Sequence, residues 1–244
     1  MIKHNHRGIF QNCHKTWQYL IGAVFCVAIF NLNENEARPE KHKNGQTINL
    51  VSHFHQMKEM SFDEIKQTKY IKQKDEILIS VNKSASFLYL PLKKVTTING
   101  FKVTWFYDQT LNLRSADQEK EKPGDDALLR IGFFVYGPAP SLPFFTPSWI
   151  EKIEKNLLHP TNKIIWFLGG SRQKKGTVWT NPYSDEISQI SLGPAQKNSW
   201  TTHAHKLAIP IKASAIAFGS DGDNTNSEFK IRLKHLSILS PDGF

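Results

Sequence analysis

The sequence predicts an all-β fold, a jelly-roll-like antiparallel β-sandwich with one short helical insertion. Three observations predict this class. About ten short apolar or alternating runs are separated by turn-forming residues, only one segment has helical spacing, and strands do not alternate with helices. The chain of 244 residues is 39% hydrophobic and 11% aromatic, and a chain of this size buries roughly 70% of its unfolded surface. We expect one β-sandwich domain over residues 47–244.

The first predicted strands lie between residues 47 and 107. Residues 76–81 and 85–90 are strand-like, and the three residues that separate them, Asn82 to Ser84, predict a hairpin. Residues 101–107 alternate with period two, so one face carries the side chains of Phe101, Val103, Trp105 and Tyr107. We expect these aromatic residues to pack in the core, because apolar faces of strands are usually buried.

The pattern of residues in the middle of the chain predicts one long strand and the only predicted helix. Residues 127–136 form an alternating apolar run, and the four prolines that follow between residues 138 and 147 exclude regular strand pairing. Thr146 is a suitable N-cap and Pro147 a suitable first helical residue. Apolar residues at helical spacing then predict an amphipathic helix that ends near His159.

The last part of the chain predicts further strands at residues 163–168, 186–192, 199–207 and 213–218. The final run after Glu228 has two distinct faces. One face is apolar and carries Phe229, Ile231, Leu233 and His235, and the other is basic and carries Lys230, Arg232 and Lys234. The basic face suits a solvated sheet surface or an anionic ligand, and the pattern leaves both open.

Residues 1–37 are predicted to be a signal peptide or a signal anchor. Basic residues precede a twelve-residue apolar run at residues 19–30, which is too short for a full membrane span and typical of an export signal. Cleavage after Ala37 would place Asn35 at a position that prefers a small residue, so retention remains open. Residues 38–46 are predicted to be a flexible linker. The sequence therefore predicts a protein exported to the periplasm, or anchored to the inner membrane and facing the periplasm.

The net charge of +9 does not identify a nucleic-acid-binding protein. The lysines are spread among acids along the chain, and the sequence has no arginine-rich block or recognisable nucleic-acid module. We expect a generally basic surface, no specific nucleic-acid partner, and contact with a membrane only through an uncleaved leader. Loose attraction to anionic polymers or lipid headgroups is a secondary expectation.

An oxygen-rich turn follows the run at residues 213–218. Asp221, Asp223 and Asn224 offer carboxylate and amide oxygens, which are the ligands that calcium prefers. An EF-hand is excluded, because the sixth position counted from Asp221 is Asn226 and the twelfth is Arg232. Asp, Asn and Gly are also the residues that a tight turn requires. The sequence therefore allows either a calcium site or an Asx-rich turn.

Several segments together resemble a known family. They are Gly124-Asp125-Asp126 entering residues 129–135, then Ile165-Trp166, residues 179–183 and residues 216–225. This order resembles the bacterial family catalogued as domain of unknown function 3047, over roughly residues 87–238. The resemblance implies an exported jelly-roll protein of the carbohydrate-binding-module type, with no established activity. The sequence departs from the family pattern in two places. The stretch at residues 136–159 is longer than in the family, and the stretch at residues 197–212 is shorter and less charged.

The resemblance also directs attention to a second acidic turn. Gly124-Asp125-Asp126 begins one predicted strand, and Asp221 to Asn224 follow the end of another. If these strands are antiparallel neighbours, the two turns share one edge and their carboxylates converge. Clustered carboxylates repel one another unless a cation compensates them. Arg130 or Arg172 would supply that charge as well as calcium would.

Three functions remain open from the sequence. The first is a non-catalytic module that binds a glycan or another envelope polymer by stacking aromatic residues on sugar rings. Its predicted ligand-binding residues are Asp125, Asp126, Arg130, Trp166, Trp179, Asp221, Asp223 and Asn224, with Tyr183 and Trp200 as further stacking candidates. The second is a hydrolase that cleaves envelope glycans with paired carboxylates. The third is a structural or interaction protein that the leader anchors to the membrane.

A zinc site is a further, weaker hypothesis from the sequence. His203 and His205 alternate on one predicted strand, and zinc needs at least a third ligand. No third ligand is identifiable from the sequence, and a strand with two alternating histidines commonly presents just a polar face.

Overall fold

The computed structural model describes residues 46–138 and 148–241. The predicted leader at residues 1–37 lies outside this part, and so does the predicted linker except for its last residue, Gln46. The predicted helix start at Thr146-Pro147 also lies outside the described residues. The strands are β1 (Gln46–Asn49), β2 (Lys58–Ser61), β3 (Lys69–Lys72), β4 (Ile77–Asn82), β5 (Ala85–Tyr107), β6 (Ala127–Tyr136), β7 (Thr161–Gly169), β8 (Val178–Asn181), β9 (Ser184–Ser191), β10 (Thr201–Asp221) and β11 (Glu228–Ser240). The described helix is α1 (Ser148–Glu154).

The all-β prediction is confirmed. The described strands form one hydrogen-bonded sheet in the order β3-β4-β11-β5-β10-β6-β7-β9-β8, while β1 pairs with β11 and β2 pairs with β5. The sheet is mixed rather than purely antiparallel, because β7 and β9 run parallel. This parallel pair arises because β8 forms a hairpin with β9 at the sheet edge, so β9 returns beside β7 in the same direction.

Two long strands, β5 and β10, hold the sheet together. They pair antiparallel along most of their length, with register shifts between Lys206 and Ile211 and between Ala213 and Ala215. Such irregularities bend a strand and increase its twist. A bent sheet can fold over its own inner face, which is how one hydrogen-bonded sheet gives a sandwich with an enclosed core.

Strand β10 alternates between two apolar clusters, as the period-two pattern predicts. Ile216 and Phe218 pack in the main core together with the buried face of β5, whereas Ala215 and Ala217 face a second cluster. This second cluster is the aromatic cluster under α1, and its largest members are Phe87, Tyr89, Phe134, Trp166 and Trp179. The alanines leave room for these large rings. The predicted core face of residues 101–107 is confirmed, since all four of its side chains are buried.

The predicted hairpin between residues 76–81 and 85–90 is wrong. Strands β4 and β5 do not pair. Strand β4 pairs with β11, whereas the start of β5, at residues 85–89, pairs with β2 and β10, and β11 pairs with β5 only at residues 100–107. Lys83, in the connection, adopts a positive φ of 50°, and its N–H donates to the carbonyl of Ser227, just before β11. The short loop therefore crosses from one part of the sheet to another. Sequence spacing alone cannot distinguish such a crossover from a hairpin.

Two smaller predictions also need correction. Helix α1 ends at Glu154 rather than near His159, and Pro160 disfavours helical geometry at the residue before it. In β11 the register shifts between Leu233 and His235. His235 is therefore only half-buried, while Leu236 and Ile238 occupy the core. Within the described residues, no helix is long and apolar enough to cross a membrane.

Candidate functional site

The two acidic turns meet at one edge of the sheet. Strands β6 and β10 are antiparallel neighbours, and Asp221 at the end of β10 lies opposite Ala127 at the start of β6. One carboxylate oxygen from each of Asp126, Asp221 and Asp223 lies within 4.8 Å of the other two. The convergence predicted from antiparallel pairing is therefore present in the structure.

Arg130 compensates the centre of this acidic cluster. Its Nε donates to both oxygens of Asp221 at 3.0 Å, and its Nη2 lies 2.9 Å from Asp221 Oδ2. The same Nη2 donates to the main-chain carbonyl of Asp125 at 2.8 Å and lies 3.4 Å from its carboxylate. Only 9% of the Arg130 side chain and 16% of the Asp221 side chain are exposed. The pair is thus a desolvated, charge-assisted contact with fixed geometry.

Asp125 connects the cluster to the edge strands. Asn181 Nδ2, at the end of β8, donates to Asp125 Oδ2 at 2.6 Å. Gln189 Nε2, in β9, donates to Asp125 Oδ1 at 2.6 Å. Sequence reasoning missed both amides as site residues. Asn181 lies within a motif that carries the family resemblance, whereas no sequence signal distinguishes Gln189 from other polar residues on an alternating strand.

Asp126 organises the second turn. Its Oδ2 accepts hydrogen bonds from Thr225 N at 2.6 Å and from Thr225 Oγ1 at 2.5 Å. Its Oδ1 accepts from Asn224 N at 3.3 Å. A carboxylate that satisfies successive backbone N–H groups holds a turn in one conformation. Asp126 therefore has a structural role, because it holds residues 224 and 225 of the turn that follows β10.

Burial changes the acidity of the carboxyl groups. Desolvation raises the pKa of Asp221 to about 7, with Arg130 acting in the opposite direction and Asp126 adding to the rise. Desolvation and the nearby Asp126 raise the pKa of Asp223 to about 6. The pKa of Arg130 is also raised, because the effect of Asp221 and Asp125 exceeds the desolvation of the guanidinium. Arg130 therefore remains protonated, while the pKa of Asp223 lies well above the ordinary value for a carboxyl group.

The acidic cluster does not fit a calcium site in this arrangement. Both oxygens of Asp221 already accept from Arg130, and Oδ1 also accepts from Ala127 N at 2.7 Å. The predicted amide ligand, Asn224, accepts a hydrogen bond from the Tyr183 hydroxyl at its Oδ1, at 3.0 Å. Carboxylates converge as a hard cation requires, but a guanidinium supplies the compensating charge.

A cleft of about 360 Å³ opens beside the acidic cluster. One end of the cleft is polar and includes Arg130, Asn181, Asp221, Asp223 and Asn224. The other end is apolar and includes Phe62, Ile65, Phe87, Trp149, Trp166 and Ile187. A concave site with an apolar wall and a few convergent polar groups is the usual form of a ligand site.

Aromatic contacts build the apolar end. The ring of Phe87 lies 5.3 Å from that of Trp166 and 5.9 Å from that of Trp149, between centroids. Phe62 contacts Trp149 edge-on at 5.8 Å. Helix α1 carries Trp149, so the helix brings a half-buried indole to the cleft. Tyr183 is 48% exposed and forms the rim.

A comparison with protein families identifies the chain. The model of the family described as "Protein of unknown function (DUF3047)" matches residues 55–236, which is more than half of the sequence. The chain belongs to the DUF3047 family. The resemblance drawn from the acidic turns and the neighbouring strands is thereby confirmed. A comparison with curated proteins finds no match.

Two solved structures resemble this DUF3047 chain distantly. One is a low-affinity xylan binding module, CBM86, from Roseburia intestinalis, with 9% identity and a TM-score of 0.34, covering 80% of this chain and 95% of the other. The second is the Agl-KA catalytic domain, with 7% identity and a TM-score of 0.29, covering 76% of this chain and 28% of the other. Scores this low do not establish a shared fold, and no ligand for the DUF3047 chain follows from them.

The remaining predicted residues lie in different places. Trp166 lines the cleft but is only 4% exposed. Its ring therefore packs in the wall of the cleft and is largely inaccessible to a ligand. Trp179 is 9% exposed and packs in the aromatic cluster under α1, outside the cleft. Arg172 donates to the carbonyl of Leu113 instead of compensating the acidic cluster.

The two histidines of the zinc hypothesis, His203 and His205, have no third ligand beside them among the described residues. Among the described residues, the group of three or more possible metal ligands is Asp126, Asp221 and Asp223, which excludes His203 and His205. The imidazole of His205 lies 5.4 Å from the ring of Phe101, in stacked geometry. Desolvation lowers the pKa of both histidines, as expected for imidazoles packed against the core.

Proposed function

We propose that this DUF3047 protein is a non-catalytic, glycan-binding module of the bacterial envelope, with the cleft beside the acidic cluster as its binding site. One observation carries the proposal: the cleft combines aromatic side chains at one end with hydrogen-bonding groups at the other. Sugar rings have the complementary character, since C–H groups form an apolar face and hydroxyls surround it. Export through the leader at residues 1–37 is part of the proposal.

The accessible groups of the cleft suit a sugar ring. Trp149 and Tyr183 supply partly exposed aromatic surface, and the Tyr183 hydroxyl lies 3.0 Å from Asn224 Oδ1, an acceptor for sugar hydroxyls. Asp223 and Asn224 are half-buried. They are therefore partly shielded from water, which strengthens hydrogen bonds to a ligand, and still accessible to that ligand. The cleft volume lies near the lower end of the range of about 300–1,000 Å³ for ligand pockets. We therefore propose that a short stretch of polymer occupies it at a time.

The arrangement favours binding over hydrolysis, although one observation supports an enzyme. The raised pKa values of Asp221 and Asp223 resemble the tuning of carboxyl groups in glycosidases. However, Asp221 is held by Arg130 through both oxygens, and both oxygens of the nearby Asp126 accept hydrogen bonds from residues 224 and 225. Neither carboxylate is free to act with Asp223 as the pair that glycoside hydrolysis requires. A glycan-cleaving hydrolase is the second candidate. Release of reducing ends that Asp223→Asn abolishes would establish it.

Binding to a glycan panel tests the proposal. Affinity electrophoresis of the full chain against xylan, β-glucan, chitin oligosaccharides and peptidoglycan fragments should show retardation by at least one of them. Tyr183→Ala and Trp149→Ala should each weaken that binding about tenfold, because stacked aromatic anchors dominate such sites. Both changes affect side chains that are not fully buried, so the midpoint of thermal unfolding should stay close to that of the parent.

Trp200→Ala is the matched control. Trp200 is 42% exposed, which is close to the value for Tyr183, but it does not line the cleft. Binding of the uncharged glycans of the panel, such as β-glucan and chitin oligosaccharides, should be unchanged in Trp200→Ala. Equal losses in Trp200→Ala and Tyr183→Ala, or no binding by the folded parent to any glycan tested, would contradict the proposal.

A further inference from the structure

A row of exposed and half-buried side chains crosses one face of the sheet, outside the cleft. Ile71 in β3 lies opposite Leu78 in β4, Leu78 lies opposite Arg232 in β11, and Arg232 lies opposite Phe106 in β5. Directly paired residues share a face of the sheet. The ring of Trp200 lies 5.8 Å from that of Phe106 and extends the row. None of these residues lines the cleft.

Cations lie directly over the aromatic end of this row. The Arg232 guanidinium is 5.0 Å from the centroid of Trp200 and 5.9 Å from that of Phe106. Lys234 Nζ is 5.7 Å from the centroid of Trp200. These cation–π contacts hold the aromatic rings and the positive charges together as one surface. We call it the basic aromatic face, defined by Phe106, Trp200, Arg232 and Lys234.

The charge of this face is only partly compensated. Arg232 pairs with Glu76 at 2.8 Å, whereas Lys234 forms no ion pair with a described residue. Lys230, two residues from Arg232 in β11, and Lys102, four residues from Phe106 in β5, are exposed, and they too form no ion pair within the described residues. An uncompensated positive surface with an exposed aromatic ring is complementary to a polymer that carries both negative charge and flat apolar faces.

We propose that the basic aromatic face binds a linear anionic polysaccharide, with a sugar ring against Trp200 and its carboxylate or sulfate groups against Arg232 and Lys234. Single-stranded nucleic acid needs successive aromatic platforms for successive bases. Here Trp200 is the exposed ring, Phe106 is half-buried, and the row continues with aliphatic side chains. Binding in a membrane surface requires a broad apolar face, whereas the aromatic part of this face offers one exposed ring, Trp200, beside two cations. This second binding surface is independent of the glycan site in the cleft.

Affinity electrophoresis of the full chain in gels that contain alginate or heparin tests the proposal, with dextran as the uncharged reference. Alginate or heparin should retard the protein, dextran should not, and added salt should weaken the interaction. Trp200→Ala should weaken binding by about fivefold, as expected for a partly exposed aromatic contact. The double variant Arg232→Gln/Lys234→Gln should weaken it by at least as much.

Two matched variants separate this surface from general charge and from the cleft. Lys174→Gln/Lys175→Gln removes the same charge from exposed positions in the loop between β7 and β8 and should leave binding nearly unchanged. Tyr183→Ala tests the cleft and should also bind alginate normally. Unfolding midpoints close to that of the parent would show that all variants fold.

Several results would overturn the proposal. One is equal loss of binding in the two double variants, which would indicate a diffuse charge effect. Another is normal binding by Trp200→Ala. Tighter binding to a thymidine oligonucleotide, or to vesicles of phosphatidylcholine and phosphatidylglycerol, than to either polysaccharide would assign the surface to a different class of partner. Loss of alginate binding in Tyr183→Ala, with normal alginate binding in the other variants, would instead place the anionic ligand in the cleft.

Discussion

Arg130 is the residue on which the acidic cluster depends. It contacts Asp125 and Asp221 at once, and its removal would leave two buried carboxylates without a cation. Breaking a buried ion pair in this way costs about 3–5 kcal/mol. We therefore expect Arg130→Gln to reduce the free energy of unfolding, measured by urea titration, by an amount in that range.

Arg172→Gln is the control for this prediction. Arg172 also binds main-chain carbonyl groups, but it is exposed and lies outside the cluster, so its loss should cost about 1 kcal/mol. Because Arg130 supplies the positive charge, calcium or a chelator should not change the unfolding midpoint of the parent. Strong stabilisation by calcium, together with a small effect of Arg130→Gln, would assign the charge compensation to the metal.

Asp223 gives the protein a defined dependence on pH. Its pKa rises from an ordinary value of 3.8 to about 6 in the folded state. Between these values the folded protein holds a proton that the unfolded chain releases, so stability falls as pH rises from about 4 to about 6. The Asp223→Asn variant has no titrating carboxyl group at this position. We expect its unfolding midpoint to fall less than that of the parent over the same range.

The comparison between parent and variant is essential, because other groups titrate nearby. The lowered pKa values of His203 and His205 act in the opposite direction, while Asp221 adds to the loss of stability with rising pH. These contributions are common to both proteins and largely cancel in the difference. Identical pH profiles for parent and Asp223→Asn would show that burial does not raise the pKa of this carboxyl group.

At the scale of elements, helix α1 positions part of the cleft. Ile153 is 1% exposed and anchors the helix in the aromatic cluster, while Trp149 on the same helix faces the cleft. Loss of a buried isoleucine side chain costs about 2–5 kcal/mol. We expect Ile153→Ala to lower stability and also to weaken glycan binding, measured by affinity electrophoresis at a temperature where the protein is folded.

Leu158→Ala is the matched control for the helix anchor. Leu158 follows α1 and is 65% exposed, so its truncation should change neither stability nor binding appreciably. Normal glycan binding by a destabilised Ile153→Ala variant would mean that the cleft does not require the position of α1.

The elements also show what the sequence could predict. Period-two alternation correctly identified the core faces of β5 and β10, because alternation reports local burial. It could not identify the partner of each strand. The connection at Lys83 has the length of a hairpin, but the pairing of β4 with β11, and of the start of β5 with β2 and β10, depends on contacts far apart in sequence. The sequence likewise predicted the acidic turns, whereas Gln189 reaches Asp125 only through the folding of β9 beside β7.

In the whole molecule, the two proposed binding surfaces lie on different parts of one sandwich. The cleft joins the acidic cluster to the aromatic cluster under α1, and the basic aromatic face lies on strands β5 and β11 and just before β10. Their residue sets do not overlap. If both proposals hold, one protein binds two glycan segments of different charge, and variants of each surface can be studied separately.

Hydrogen–deuterium exchange of the full chain can show whether the cleft is the glycan site. With a bound uncharged glycan, we expect slower exchange in α1, in the β8–β9 turn around Tyr183, and at residues 219–225, while exchange in β11 is unaffected. Protection confined to β11 and the region around Trp200, or no protection at the cleft when the glycan is bound, would exclude the cleft as the glycan site.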